Sequence, residues 1–516
     1  MLALLAVLVA APAEDLAAQL HHLEVAGSAE APAPSPDGTR VAFVTTLFGS
    51  RQAGSMPIEG GYPTQLTDEP GGVLAVRYSP DAKQLIALVR RGERRRLVLL
   101  DEEGGTPAEL DTAPGDQLPG GFTRDGHRFF YAAVDAGKVT LRQLALDTRK
   151  STEVAPPPPA AGGSAAPLAS QPVGEALAGL SILGPPTPDG RSIVAQVRRG
   201  DDETLVLVDL ATARGETLTP HEGRARFRFP RWNSDGRTLY VLTDQGRERL
   251  GVDSIVVATK ARKTVYAPPQ EVEAYAVSED GHRLAVAAQQ EGETIFSLLE
   301  LPSLRAQPLP QPLGGALAPA LSPSESALAW NRSGDKIFFA WRLADDTTDV
   351  WMFRMGYGTP MRLTHSPRPG LARGTIPRPA LAKVTGADGR ELVSWLWRPE
   401  GVEKPRVAVL VSAAPTRPVF DKRIAALNFA GIAVLAVNAP PPEAGPAALR
   451  YLRAAPELDG RKPLLLDFDA AAPVADPADW SGVVAQGDTG RHKGLATLEL
   501  NGDLQRLVTF AREKLK

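Results

Sequence analysis

Over most of its length the chain alternates short runs of aliphatic, β-branched and aromatic residues with polar turns, and one unit returns. The unit is a small polar cluster closing in Asp-Gly, then a basic or polar residue, then an apolar run. It reads Ser35-Pro-Asp37-Gly38-Thr-Arg40 before residues 41–44, and Tyr78-Ser-Pro-Asp81-Ala-Lys83 before residues 85–89. It returns as Phe122-Thr-Arg-Asp125-Gly-His127, Thr187-Pro-Asp189-Gly-Arg191, Trp232-Asn-Ser-Asp235-Gly-Arg237 and Val277-Ser-Glu-Asp280-Gly-His282. The last copy is Trp330-Asn-Arg-Ser333-Gly-Asp-Lys336, before residues 337–340. The Asp side chain can accept from backbone N–H groups of a turn, and Gly takes the φ > 0 position. The residues that follow suit a buried strand. The Asp positions, with Ser333 standing in the last copy, are spaced by 44, 44, 64, 46, 45 and 53 residues. The long interval contains a Pro/Ala/Gly/Ser-rich insert at 155–172, which reads as a surface loop. Several short strands per period of about 45 residues are the signature of propeller blades. One blade cannot bury both faces alone, but blades packed around an axis can. Seven copies predict a seven-bladed β-propeller over 23–375; an eighth, degenerate blade in the insert is weaker, because 155–172 lacks a strand pattern. The repeated Asp residues are expected to serve the turns rather than a ligand.

From Pro379 the period changes. Residues 382–385 and 391–399, around Ala387-Asp-Gly389, predict a hairpin, and 406–411 a buried parallel strand. A helix over 421–430 is stopped by Gly431. A strand at 432–437, a helix at 447–453 and strands at 463–466 and 494–500 follow. The last helix starts at the N-cap Asp503 and places Leu504, Leu507, Val508, Ala511 and Leu515 on one face. This alternation predicts a small α/β domain over 379–516 with a mostly parallel sheet.

Composition narrows the chemistry. A net charge of −3 argues against a nucleic-acid binder working by bulk charge. With no cysteine there is no disulfide, thiolate zinc site, iron–sulfur cluster or cysteine nucleophile. No His/Asp/Glu cluster has ligand spacing, so neither a metal nor a cofactor is expected. The basic run Arg90-Arg91-Gly-Glu-Arg94-Arg-Arg96 reads as a solvated hairpin turn. Residues 1–10 are wholly apolar and are followed by Ala11-Pro-Ala13, so 1–22 reads as a signal peptide and lead-in of a periplasmic or extracellular protein. The alternative for this stretch is an N-terminal helix packed on the body. No apolar run reaches 18 residues, so no membrane span is predicted.

The Ser-Pro-Asp-Gly copies resemble the propeller repeats of the periplasmic TolB protein and of the prolyl oligopeptidase family. The C-terminal landmarks sharpen the second likeness. Ala387-Asp-Gly389 with Trp395-Leu-Trp-Arg-Pro399 is similar to that family's first hairpin. Val409-Leu-Val411 followed by Pro415 stands where the family has a strand leading into His-Gly-Gly-Pro. Phe429-Ala-Gly-Ile-Ala-Val-Leu-Ala-Val-Asn438 and Ala448-Leu-Arg-Tyr-Leu452 are similar to its next helix–strand junction and to the helix before the nucleophile strand. The resemblance implies an S9-type architecture: a propeller and a truncated, degenerate α/β-hydrolase-like domain.

The hydrolytic motifs are not in the chain. That fold presents its nucleophile on a Gly-x-Ser-x-Gly elbow, and none occurs; after 464–466 the sequence runs Asp467-Phe-Asp-Ala-Ala-Ala-Pro473, with Asp469 nearest the nucleophile position. In place of His-Gly-Gly-Pro stands Ser412-Ala-Ala-Pro415, whose Cβ atoms crowd the approach to an oxyanion. His492 is the only histidine after His365, one element too early for a triad, and reads as a surface-loop residue; Asp488 is an equally weak acid. Ser412 follows the wrong strand, and Ser481 reads as a loop serine. No catalytic residue is therefore assigned. The leading expectation is a non-catalytic relative of S9 serine peptidases that binds a peptide or protein partner at the propeller face. Two alternatives stand: an active S9-like hydrolase with an unrecognised triad, and a TolB-like envelope scaffold.

Overall fold

The computed structural model describes residues 15–155, 170–312, 314–322, 324–372, 374–469, 478–486, 492 and 494–516. The apolar leader at 1–13, most of the insert at 155–172, and Asp488 lie outside them. Backbone packing divides the chain into two units. One holds 27–342 and 348–366; the other holds the described residues up to Ala26, 343–347 and those from Pro367 onward.

The first unit is a seven-bladed β-propeller: seven antiparallel sheets of four or five strands, each drawn from one contiguous stretch of chain. The first blade runs from strand Ala29–Pro34 to strand Thr64–Gln65 and the seventh from Ala316–Leu317 to Met361–Arg362. The fourth blade gains an extra outer strand, Gln171–Pro172, at the end of the insert. First and last blades share no strand. They join through the Ala29 N–H donating to the Thr348 carbonyl at 2.9 Å and through a common core that includes Val41, Phe43, Phe338 and Val350.

The recurring sequence unit closes the hairpin between the first and second strands of each blade. Ser35 Oγ donates to Asp37 at 2.5 Å and accepts from the Arg40 N–H at 3.0 Å, while the Thr39 N–H donates to the same carboxylate. Ser79/Asp81, Thr123/Asp125, Thr187/Asp189 and Ser278/Asp280 repeat this pattern. In the fifth copy Asn233 stands in the hydroxyl position, and Asp235 accepts from the N–H groups of Arg237 and Thr238. The seventh copy corrects the sequence alignment. Asn331 replaces the hydroxyl residue, accepting from the Lys336 N–H at 3.0 Å, and the carboxylate is Asp335, bonded by Asn331 and Ser333. The residue after the Asp position has φ between 61° and 76° in the first six copies, with alanine at Ala82 and glycine in the others.

The basic run is not a simple solvated turn. It spans the tip between strands Gln84–Arg91 and Arg94–Asp101, but Arg91 pairs with Glu69 at 2.8 Å and Arg95 with Asp116 at 2.7 Å. Arg96 is buried and donates to the carbonyls of Ala113 and Asp111. These arginines tie the second blade to its own outer loop and to the third blade.

The second unit begins with helix α1 (Leu16–Val25), so residues 16–22, read as part of the leader, are helical and packed. Its sheet has seven strands: β1 (Ala380–Thr385), β2 (Glu391–Trp397), β3 (Arg406–Leu410), β4 (Ile432–Val437), β5 (Asp459–Asp467), β6 (Gly482–Ala485) and β7 (Thr497–Glu499). Their order is β1-β2-β4-β3-β5-β6-β7; the β1/β2 and β2/β4 pairs are antiparallel and the rest parallel. Helices α2 (Lys422–Phe429), α3 (Pro441–Ala454) and α4 (Leu504–Lys514) cover it. Alternation along β3 splits the core: Val407 and Val409 face α3, while Ala408 and Leu410 face α2 and α4. Leu20 and Leu23 of α1 pack on Ala425 and Ala426 of α2 and on Leu504 and Val508 of α4. Lys422 Nζ caps the end of α1, donating to the Ala26 and Glu24 carbonyls at 2.7 and 3.1 Å.

Candidate functional site

In an open parallel sheet the ligand crevice lies beyond the carboxyl ends of the strands, where the chain's winding reverses direction. Here β3 leads through α2 to β4 on one side, and β4 leads back through α3 to β5 on the other side of β3. The ends of β3 and β5 therefore mark the reversal. Ser412 follows the first, and Asp467 and Asp469 end the second. Ser412 Oγ donates to Asp469 Oδ2 at 2.7 Å, and the Ala413 N–H donates to the same oxygen at 2.8 Å. Ser412 stands one strand away from the nucleophile position after β5, and because β3 and β5 are neighbours the two loop ends meet. Below them Arg423 stacks on the Phe468 ring, 4.0 Å from its centroid, and pairs with Asp421 at 2.6 Å. Burial depresses the Arg423 pKa, but its bonds to Asp421 and the charge of Asp469 outweigh that and raise it. The Ser412 loop is held by Asn438 at the end of β4, which accepts from the Thr416 N–H at 2.7 Å and donates to the Thr416 carbonyl at 2.9 Å.

His492 is not a surface-loop residue. Its side chain is fully enclosed, and Nε2 lies 3.3 Å from Asp467 Oδ2. Nδ1 has no hydrogen-bond partner among the described residues. The signal for this burial is Asp467 itself: a carboxylate closing the buried apolar run 463–466 of β5 needs a polar partner inside. Ser481 directly precedes β6, and its buried Oγ has no hydrogen-bond partner among the described residues. Ser412, Asp469, Asp467 and His492 thus gather beyond the carboxyl ends of β3 and β5, in two separate pairs, Ser412–Asp469 and His492–Asp467, while Ser481 lies at the opposite end of the sheet, its N–H donating to the Pro463 carbonyl.

The propeller unit carries a cavity of about 450 Å³ lined by the first strands of its blades. Pro32, Pro185 and Ala276 contribute apolar wall. Proline suits these strands because each is the edge of its sheet and one face of its backbone pairs with nothing. The charged lining residues are Arg77, Arg124, Arg231, Arg332, Glu279 and Glu325, an excess of two positive charges in a chain of net charge −3. Among the described residues no group of three or more His, Cys, Asp or Glu side chains could hold a metal ion, and no helix is long and apolar enough to cross a membrane.

No family profile and no curated protein matches this sequence. Its fold has clear counterparts among solved structures. A prolyl endopeptidase superposes with a TM-score of 0.72 at 15% identity, covering 97% of this chain and 80% of its own. A puromycin-hydrolysing peptidase of Mycobacterium tuberculosis gives 0.70 at 17% identity over 90% and 78% of the two chains. A puromycin hydrolase gives 0.72 at 15% identity over 98% and 85%. The chain is similar to S9 peptidases in fold.

Proposed function

We propose that this protein is a non-catalytic relative of the S9-type serine peptidases, with a degenerate α/β-hydrolase-like unit, and that it binds peptide or protein segments through its propeller. The observation that carries this reading is the bonding of Ser412. A nucleophilic serine gives its proton to a histidine that a carboxylate orients; Ser412 gives it to a carboxylate directly, and Asp469 also takes the Ala413 N–H. A donor needed for an oxyanion is thereby spent on the protein's own negative charge, which would repel the developing one. Residues 467–480 contain no serine, threonine or cysteine. The apolar leader supports export to the periplasm or cell exterior.

A second reading, a working hydrolase, draws on the buried Asp467–His492 pair, which has the acid–base half of a triad. It lacks access, since no part of the His492 side chain reaches solvent. A fluorophosphonate probe on the purified full-length chain separates the two. The expected result is no labelling. Labelling that disappears in Ser412→Ala or Ser481→Ala overturns the non-catalytic reading.

A further inference from the structure

The first strand of the fifth blade, Phe227–Trp232, carries a bulge between Arg228 and Arg231, with Phe229 at φ 52°. Left-handed geometry is costly for an aromatic residue. It is held there by Tyr275 Oη, whose one O–H is shared between the carbonyls of Phe229 and Tyr240, 2.5 and 2.8 Å away. Bulges re-aim side chains, and this one sends Arg231 into the cavity.

Arg231 is under-bonded there. A guanidinium has five N–H donors, yet its one hydrogen bond among the described residues runs from Nη1 to the Pro230 carbonyl at 2.9 Å. The nearby carboxylate is taken: Arg77 holds Glu325 at 2.7 Å and also donates to the Gly120 carbonyl at 2.9 Å. Enclosure lowers the Arg231 pKa, with the Arg77 charge adding to the effect and Glu325 offsetting part of it. At the exposed end of the cavity Arg124 and Arg332 share Glu279, at 3.8 and 3.5 Å. The interior therefore has one uncompensated positive charge, presented as a planar fork amid apolar wall.

We propose that Arg231 is an anion site that receives a peptide carboxylate inside the propeller. One fork facing one missing charge fits a planar monoanion held by two parallel bonds; a phosphate dianion asks for more cations than the interior leaves free. The inference deepens the reading of the propeller as the binding part and is independent of whether the second unit cleaves.

Calorimetry on the full chain tests it with acetyl-trialanine as free acid, the same peptide as its amide, acetyl-Ala-Glu-Ala-amide, and inorganic phosphate. At least one carboxylate peptide is expected to bind ten-fold or more tighter than the neutral amide; which of the two does so identifies a chain terminus or an acidic side chain as the source. Arg231→Met is expected to lose that preference without lowering Tm, because it removes a poorly compensated charge from an enclosed site. Arg231→Lys keeps the charge but not the fork and is expected to bind severalfold weaker, which serves if the Met variant misfolds. Glu325→Gln is expected to tighten binding. Equal affinity for acidic peptides and amide, unchanged binding in both Arg231 variants, or binding of phosphate in place of peptide overturns the carboxylate site. Binding of no peptide at all overturns the propeller-binding reading with it.

Discussion

The hairpin turns of the propeller and the strand ends of the α/β sheet spend the same residue types in opposite ways. In the turns a hydroxyl and a carboxylate meet in almost every blade, and each time both also bond the local backbone, as at Ser35–Asp37 and Ser278–Asp280. At the carboxyl ends of β3 and β5 Ser412 and Asp469 meet once, 57 residues apart in the chain. The first arrangement is local, so each copy survives the drift of the others: Asn331 with Asp335 rebuilds the turn from different residues. The second depends on long-range placement of single residues, so a substitution at either Ser412 or Asp469 removes it while the framework stands. A fold is thus retained by many redundant contacts where an activity hangs on a few.

The sharpest way to probe the contrast is to remove framework rather than site. Leu465, in the middle of β5, is 2% exposed and packs with Val409, Leu435 and Val483. Leu465→Ala is expected to cost about 3 kcal/mol, whereas Ser412→Ala, at a half-buried loop position, is expected to cost about 1 kcal/mol or less. Urea titrations of both variants check this. Equal losses would mean that the Ser412–Asp469 bond belongs to the framework.

Within the propeller the turns are not all equivalent, because the first and last blades close without a shared strand. A Cβ on Gly38, at φ 69°, would stand 2.8 Å from Asn331 Nδ2 of the seventh blade. A Cβ on Gly126, at φ 74°, would meet only Pro80 at an ordinary 3.5 Å. Gly126→Ala bears the left-handed backbone cost alone, about 1–2 kcal/mol; Gly38→Ala bears that and the crowding at the closure, and is expected to exceed it by about 1 kcal/mol. Thermal unfolding of the pair measures the difference, and identical Tm shifts would show that the closure is no tighter than an internal joint.

What the sequence disclosed follows the same division. Seven blades were legible because a polar turn before an apolar run, closing in Asp-Gly in five of its seven copies, is a local signal repeated along the chain. The α/β order was legible where elements were long, as in α4. It failed where they were short or flouted propensity. Strand β6 has four residues, too few for a pattern. Helix α3 begins at Pro441 rather than near 447; Pro441 and Pro442 read as a break but occupy its first turn, where a missing N–H is harmless, while Pro446 lies inside the helix against propensity. The candidate site was hidden for a topological reason. Nothing in the chain order says that β3 and β5 are neighbours, so neither the Ser412–Asp469 contact nor the burial of His492 could be read from spacing.

Acid distinguishes the turns from the rest of the propeller by a smaller effect. Bonds from Ser35, Thr123 and Thr187 hold the carboxyls of Asp37, Asp125 and Asp189 below the usual range. A folded-state pKa below the unfolded value means that their contribution is present above the unfolded pKa, near 3.9, and is lost as pH falls through the lower folded values. Stability is therefore expected to be level above about pH 5 and to decline below about pH 4. Asp125→Ala is expected to cost about 1 kcal/mol or less at neutral pH, the carboxylate being exposed, and less still near pH 2. A cost unchanged with pH would remove the carboxylate from the account of the turn.

The finest test restores glycine to the one left-handed position in the first six turns that lacks it. Ala82 occupies the left-handed position at φ 61° that glycine fills in the other early copies. Alanine there carries about 1 kcal/mol or more of steric cost, and glycine would return part of that as unfolded-chain entropy, about 0.4–1 kcal/mol. Ala82→Gly is accordingly expected to stabilise the propeller by a few tenths of a kcal/mol, a Tm rise of a degree or less. Because the Ser79–Asp81 bonds at 2.6 Å and the Gln84 N–H to Ser79 Oγ bond at 3.0 Å are already in place, the gain reports backbone strain alone. A fall in Tm would show that the surrounding hydrogen bonds had already relaxed that strain, which is what a redundant, locally satisfied turn can do and a one-off site cannot.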